Sequence, residues 1–397
     1  MMTDFIDAVV AGHLCLDVFP DLSRIRPDAF ERLFQPGRLL DIGPATFVTG
    51  GPVSNTGLAL HKLGLRTRLM GKVGDDIFGG AVRRYIERIE PELVSGMAVS
   101  PDVDTSYSIV INPPGVDRIF LHHPGANDHF FADDLNDDLI ARSRLFHFGY
   151  PPLMRSMYAD GGESLRAVFR RAKQTGVTTS LDMALPDPTT ASGRAPWPEI
   201  LGKTLPFVDI FLPSIEELLF TLWRDEYERL RADAGGPDIL PLITPGLLGT
   251  MSGRLHEMGV AVAVIKLGWR GLYLHTADAA RIAEMGRAAP DDTAAWANRI
   301  YWAPTFQVQV AGTTGAGDAT IAGFLAALLR GLSPEEALTM ATAVGACNVE
   351  AADSLSGIRS WQETRDRVQA GWPRREQPLD AFGWRYRPEI GLWSPEA

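Results

Sequence analysis

Two glycine-rich runs hold residue types that could do chemistry. The downstream one is Gly312-Thr313-Thr314-Gly315-Ala316-Gly317-Asp318. It lies between Phe306, Val308 and Val310, which alternate as in a strand, and a stretch from Ala319 that is apolar on nearly every face of a helix. A glycine-rich turn opening a helix leaves free N–H groups at the positive dipole end, which makes an anion site. Asp318 could then be a general base beside an anion hole, the layout needed to deprotonate a hydroxyl attacking a phosphoryl group. The competing reading is an acid that merely favours the helix dipole. The familiar nucleotide loops are absent: the sixth position from Gly315 is Thr320, not Gly, and no Lys follows the glycines as a Walker A loop requires.

The upstream run is Gly50-Gly51-Pro52-Val53-Ser54-Asn55, followed by Gly71-Lys72-Val73-Gly74-Asp75-Asp76-Ile77-Phe78-Gly79. Paired glycines let a ligand touch backbone, and Asn55 can both donate to and accept from a sugar hydroxyl. Taken singly, Gly50-Gly51 is more often a plain loop. Asp17, in GHLCLDVFP, is a carboxylate among apolar neighbours. It is either a buried acid that polyol hydroxyls would satisfy or a solvated turn residue.

The elements that must position these residues alternate. Strands are predicted at residues 7–12, Leu65–Val73, Leu145–Phe148, Val177–Leu181, Val208–Leu212 and Val260–Lys266. Helices are predicted at Ser54–Leu63 (Ser54 as N-cap), Ile77–Ile89, Ser164–Lys173 and Ile215–Trp223. Such alternation implies βαβ units and a mostly parallel sheet covered on both faces. Thr105–Ile111 and Arg118–His122 flank a Pro-Pro-Gly turn region at Asn112–Asp117 and read as a hairpin flap. Residues 224–258 and 278–298 read as insertions.

The 397 residues are 45% hydrophobic and 22% charged, which excludes wholesale disorder. Lys+Arg 38 against Asp+Glu 49 leaves a net charge of −11, which argues against a nucleic-acid or anionic-membrane binder. Cys15 and Cys347 are too few for a disulfide scaffold and suit a reducing compartment. Asp4 and Asp7 stand where a secretory leader needs positive charge, and the longest apolar runs fall short of a membrane span. The expectation is a cytoplasmic protein.

Together, GG-x-x-x-N at Gly50–Asn55, G-x-V-G-x-D-x-F-G at Gly71–Gly79 and TTGAGD at Thr313–Asp318 resemble the two signatures of the ribokinase/PfkB family of carbohydrate and nucleoside kinases. The likeness runs from about Phe5 to about Val368. It implies a single three-layer α/β/α ribokinase-like domain over 1–397, with a mostly parallel central sheet. It also implies a small β-sheet lid built from about 13–20 and 104–123. By resemblance, Asp318 is the base and the N–H groups of Gly315, Ala316 and Gly317 form the anion hole. Asp17, Gly50, Gly51 and Asn55 would hold the sugar, and Asn127 would reach a hydroxyl. Lys266, Gly268, Gly271, Thr313, Gly315 and Gly317 would line the ATP site, with Asn348 near the adenine. Glu217 matches the acid of an N-x-x-E motif that organises Mg²⁺ and phosphates.

The chain also departs from the pattern. Ser214 replaces the Asn of N-x-x-E, so the magnesium relay is altered or carried by water. Gly312 replaces an acid that helps bind a monovalent cation in several relatives, so that site is in doubt. Leu181–Leu185 lacks the Asn and Arg of D-x-N-x-R but keeps Asp182 as a polar contact. Tyr150 could stack on a sugar ring or be a packed core tyrosine. His122 and His123 read as flap packing or polar contacts. Glu350 and Asp353 read as solvated acids. The function implied is ATP-dependent phosphorylation of a sugar hydroxyl, with a nucleoside kinase or a non-catalytic sugar- or nucleotide-sensing protein as alternatives. Partners are expected to be a small sugar or nucleoside and a second copy of the chain through the lid, with neither nucleic acid nor membrane.

Overall fold

A computed structural model describes residues 5–25, 35–37, 39–112, 119–376, 379 and 382–396. Asp4, Arg118 and the Pro-Pro-Gly turn at 113–115 lie outside them. Six strands form a parallel array in the order β12-β11-β10-β9-β1-β4. They are β1 (Ile6–Gly12), β4 (Thr67–Met70), β9 (Ser143–Gly149), β10 (Thr178–Leu181), β11 (Ile210–Phe211) and β12 (Val262–Lys266). β1 and β12 are near-continuous apolar runs, as in strands buried on both faces, and β10 is buried throughout although it reads Thr-Thr-Ser-Leu. Val9, Ala11, Phe146, Phe148, Ala263 and Ile265 enter one core. Ala8, Val10, Leu145, Val262 and Val264 enter the other. Helices Glu163–Gln174, Ile215–Leu222 and Pro245–Glu257 cover the first side; Pro52–Lys62, Ala316–Leu329 and Pro334–Asn348 cover the second. The all-round apolar helix Ala316–Leu329 is buried because it packs against helices Pro52–Lys62 and Pro334–Asn348 and shares their core with the strands.

Beyond β12 the sheet turns antiparallel through β13 (Leu272–Thr276), β14 (Ile300–Ala303), β16 (Leu392–Pro395) and β15 (Trp384–Arg387). A separate four-stranded sheet, in the order β3-β2-β7-β8, joins β2 (Cys15–Phe19), β3 (Thr46–Gly50), β7 (Tyr107–Ile111) and β8 (Ile119–His123). A two-stranded piece pairs β5 (Lys72–Gly74) with β6 (Ala98–Ser100).

Several local expectations need correction. The first helix starts at Pro52 on a Gly51 N-cap, because proline at the first helical position presets the backbone; Ser54 is buried inside that first turn. The run Leu65–Val73 breaks at Gly71 into β4 and β5, which serve different sheets. Phe306–Val310 is no strand: Phe306 makes one bridge to Arg374 and stacks on Trp372 at 4.5 Å. Residues 224–258 hold two helices of their own, Arg224–Ala234 and Pro245–Glu257, and the latter places Leu248, Met251 and Leu255 in the core. Residues 278–298 likewise contribute Ile282, Met285, Ala288 and Trp296 to the core.

Candidate functional site

The carboxyl ends of the parallel strands gather the chemistry, as open α/β sheets do. Asp318 sits in the first turn of helix Ala316–Leu329, whose N-cap is Gly315. Gly315 has φ 72°, and a Cβ there would lie 2.6 Å from the Ser354 Cβ, so only glycine makes this turn. The Asp318 side chain is buried, 2% exposed. Asn55 Nδ2 donates to its Oδ2 at 3.0 Å, and Thr56 Oγ1 donates to its Oδ1 at 3.2 Å. The Tyr150 hydroxyl donates to both oxygens, at 3.1 and 3.0 Å. Burial raises the Asp318 pKa, opposed by the charge of Lys266 and by these hydrogen bonds.

On the other flank, Lys266 closes β12 and places Nζ 2.6 Å from Asp182 Oδ1 and 4.0 Å from Glu217 Oε2. Burial pushes the Asp182 and Glu217 carboxyls up, and the ammonium of Lys266 counters it in both. Asp182 Oδ2 has no partner among the described residues. Glu217 and Ser214 form a capping box: Ser214 N–H donates to Glu217 Oε2 at 2.6 Å, and Glu217 N–H to Ser214 Oγ at 3.2 Å. Ser214 thus caps its helix. Lys266, Gly268, Gly271, Thr313, Ala316 and Gly317 line one cavity of about 560 Å³ together with Trp269 and Val308. Asp318 therefore stands beside this cavity, with Asn55, Thr56 and Tyr150 on its carboxylate.

Asp17 lies on β2 of the small sheet, where Cys15 Sγ contacts its Oδ1 at 3.3 Å and burial raises its pKa. Its Oδ2 would lie 2.1 Å from a Cβ at Gly50, so glycine there admits the acid. Two expected ligands are otherwise engaged. Asn127 is fully buried and clamps backbone: it accepts from Leu14 N–H and donates to the Leu14 carbonyl, both at 3.0 Å. Both ends of its amide are spent on holding the turn after β1. Asn348 donates to the Ser354 carbonyl at 2.7 Å and does not line the cavity. Asp353 is exposed, as expected of a solvated acid, whereas Glu350 is half-buried in ion pairs. Glu350 pairs with Arg367 at 2.7 Å and Arg359 at 3.2 Å, and Asp353 accepts from the Leu355 and Ser356 N–H groups.

Thr56 had no place in the sequence reading, although Ser54-Asn55-Thr56 is a polar triplet in an otherwise apolar helix. Tyr150 joins the acid rather than a bare core. His13, which follows β1, was also missed; it is buried, and burial beside His122 lowers its pKa to about 3. His122 itself bonds Ser108 Oγ at 3.0 Å, and His123 packs on Tyr107.

The model of the pfkB family carbohydrate kinases matches residues 18–360. A 2-dehydro-3-deoxygluconokinase of Thermoproteus tenax is 25% identical over 339 residues, 83% of this chain and 89% of that protein. The probable chloroplastic fructokinase-6 of Arabidopsis thaliana is 25% identical over 319 residues, 78% of this chain and 71% of that protein. Among solved structures, Arabidopsis thaliana ribokinase complexed with ribose and ATP superposes with a TM-score of 0.66 at 18% identity, covering 92% of this chain and 99% of that one. Xylella fastidiosa fructokinase with bound ATP gives 0.65 at 18% identity, covering 91% and 98%. With the glycine-led helix, its acid and the adjoining cavity in place, these likenesses establish that the chain belongs to the PfkB family of carbohydrate kinases.

Proposed function

We propose that this carbohydrate kinase transfers the γ-phosphoryl group of ATP to a sugar hydroxyl with Asp318 as the base. The observation that carries the proposal is the position of Asp318. It is buried on the glycine-capped helix end, with Asn55 on its carboxylate and the Lys266–Gly317 cavity alongside. ATP would lie in the cavity with its base toward Trp269 and Val308. The N–H groups of Gly315 and Gly317 would receive the charge of the migrating phosphoryl group, while that of Ala316, expected to join them, donates to the Thr313 carbonyl at 3.2 Å. Asp17, Gly50, Gly51 and Asn55 would face the sugar; the Oδ1 of Asn55, without a partner among the described residues, remains to accept from a hydroxyl. The proton of the attacking hydroxyl passes to Asp318 as the oxygen approaches phosphorus, and positioning supplies most of the remaining acceleration.

Among the described residues no cluster of three or more His, Cys, Asp or Glu could hold a metal on its own. A magnesium ion that keeps most of its water needs only one or two carboxylates beside the phosphates, and Asp182 Oδ2 and Glu217 offer them. Bound there with the nucleotide, Mg²⁺ would neutralise phosphate charge. The small sheet would act as the lid. Its apolar Phe47, Phe120 and Leu121 are 51%, 57% and 50% exposed and lie on its two edge strands, β3 and β8. Tyr107, Ile109 and Ile111 belong to interior strand β7, so pairing with a second copy would use those edges instead. A monomer by light scattering at all working concentrations would reject the dimer. No helix among the described residues is long and apolar enough to cross a membrane. The buried free thiols of Cys15 and Cys347 are consistent with residence in the cytoplasm.

The test of function is ADP release from Mg²⁺–ATP against a panel of sugars, beginning with fructose, ribose and 2-dehydro-3-deoxygluconate, the acceptors suggested by the relatives' names. Nucleosides go in the same panel. Turnover of no sugar would overturn the proposal.

A further inference from the structure

Tyr150 takes no part in the steps above, yet it is held in an unusual way. It follows β9 with φ 62° and ψ 44°, the left-handed region that an L-tyrosine seldom adopts. Such conformations persist where the surroundings over-determine them, often at working sites. Its hydroxyl lies 3.1 and 3.0 Å from the two oxygens of Asp318. An attacking hydroxyl must come within the same distance of that carboxylate if Asp318 is to take its proton. Asn55 and Thr56 occupy the other approaches to the carboxylate. The acids and the ammonium facing Tyr150 and Asp318 from neighbouring elements are Asp182, Glu217 and Lys266. Lys266 is itself committed to Asp182, so the direct contacts on the base are the three side chains. Burial and the charge of Asp318 push the Tyr150 pKa well up, which keeps the phenol a donor.

We propose that Tyr150 is a positioning residue that plugs the base until a sugar arrives. It holds the place of the acceptor hydroxyl, keeps water from Asp318, and yields that place when the acceptor binds. The inference rests on Asp318 being the base of the kinase reaction. The side reaction it suppresses is hydrolysis of ATP. There, a water oxygen bonds to the γ-phosphorus and the bond to the β–γ bridging oxygen breaks. ADP leaves with the electron pair and Asp318 takes a proton from the water, leaving ADP and inorganic phosphate. A water molecule brings no binding energy beyond its own hydrogen bonds. A sugar draws on contacts to its other hydroxyls and can spend them on displacing the phenol.

The experiment measures ADP and inorganic phosphate release from Mg²⁺–ATP without sugar, for the wild type, Tyr150→Phe and Tyr150→Gly. Tyr150→Phe removes only the plug's hydroxyl. Tyr150→Gly removes the ring and suits the left-handed backbone, so it guards against a misfolded first variant. ADP affinity and thermal unfolding confirm that both variants are folded. The expected result is a rise in sugar-independent hydrolysis of at least about ten-fold in Tyr150→Phe and no less in Tyr150→Gly. With sugar present, a larger share of ATP should end as inorganic phosphate. Hydrolysis within two-fold of wild type in both folded variants would overturn the plug. A wild type that phosphorylates no sugar would overturn the kinase reading instead, because the hydrolysis comparison needs no acceptor.

Discussion

Replacing Asp318 by Asn separates chemistry from folding, and the geometry says by how much. A positioned general base contributes roughly 10²–10⁴-fold, or about 2.7–5.5 kcal/mol of barrier. An amide cannot take the proton, so kcat should fall by that factor. Stability should hardly move. Asn55 Nδ2 can only donate, and it reaches Oδ2; the new amide oxygen would settle there. The new NH₂ would then take the Oδ1 position, where the Thr56 and Tyr150 hydroxyls now donate. Both hydroxyl oxygens can accept from it; Tyr150 can go on donating to the amide oxygen at the Oδ2 position, while Thr56 must turn its own proton away. Hydrogen bonds to a charged acceptor are exchanged for neutral ones, a loss of about 1 kcal/mol for each of the three donors. That loss is offset because burial already disfavours the ionised acid, as the raised pKa shows. The net change should be within about 1 kcal/mol, a Tm shift of about 3 °C or less. Coupled ADP release gives kcat, calorimetry gives ADP affinity, and thermal unfolding gives Tm. A variant that kept more than about half the wild-type rate would refute the base. One that unfolded would refute the hydrogen-bond accounting.

Three further predictions follow from the same centre. Glu217→Gln keeps the capping box, since Gln can accept from the Ser214 N–H, so the fold should hold while apparent Mg²⁺ affinity falls; a change confined to acceptor KM would contradict the assignment. Asp318 must be ionised to work and burial raises its pKa, so kcat/KM should climb with pH through a limb above the ordinary carboxylate value of about 4. A limb at or below that value would show that the hydrogen bonds outweigh burial. Potassium should activate little over an inert organic cation at matched ionic strength. A Cβ at Gly312 would come 2.9 Å from the Ala352 backbone, and the nearby acids Glu350 and Asp353 are already engaged, leaving carbonyls to compete with the ion's hydration. A several-fold saturable rise in turnover would refute this.

What the sequence determined by itself is what short spacing encodes. Gly315-Ala316-Gly317-Asp318 before an apolar helix specifies a turn, a dipole end and an acid within one helical turn, and the structure builds them so. The buried parallel strands were legible for the same reason: continuous apolar runs between turn signals leave few alternatives, as at Val260–Lys266. The antiparallel edge was harder to see. Trp384, Tyr386 and Trp393 alternate around a Gly391 turn, a hairpin signal in hindsight, but β16 becomes part of the sheet only by pairing with distant β14. Phe306 and Val308 alternate equally well and instead line a cavity or stack on Trp372, because alternation reports a period and not a partner. Tertiary structure alone decided how polar side chains spend their hydrogen bonds. Asn55, Thr56 and Tyr150 meet Asp318 across 263, 262 and 168 residues, whereas Asn127 and Asn348 turn to backbone carbonyls. An asparagine offers the same donor and acceptor to a sugar, an acid or a peptide group. Which it takes depends on what the packed core brings within 3 Å, and no local pattern of residues carries that information.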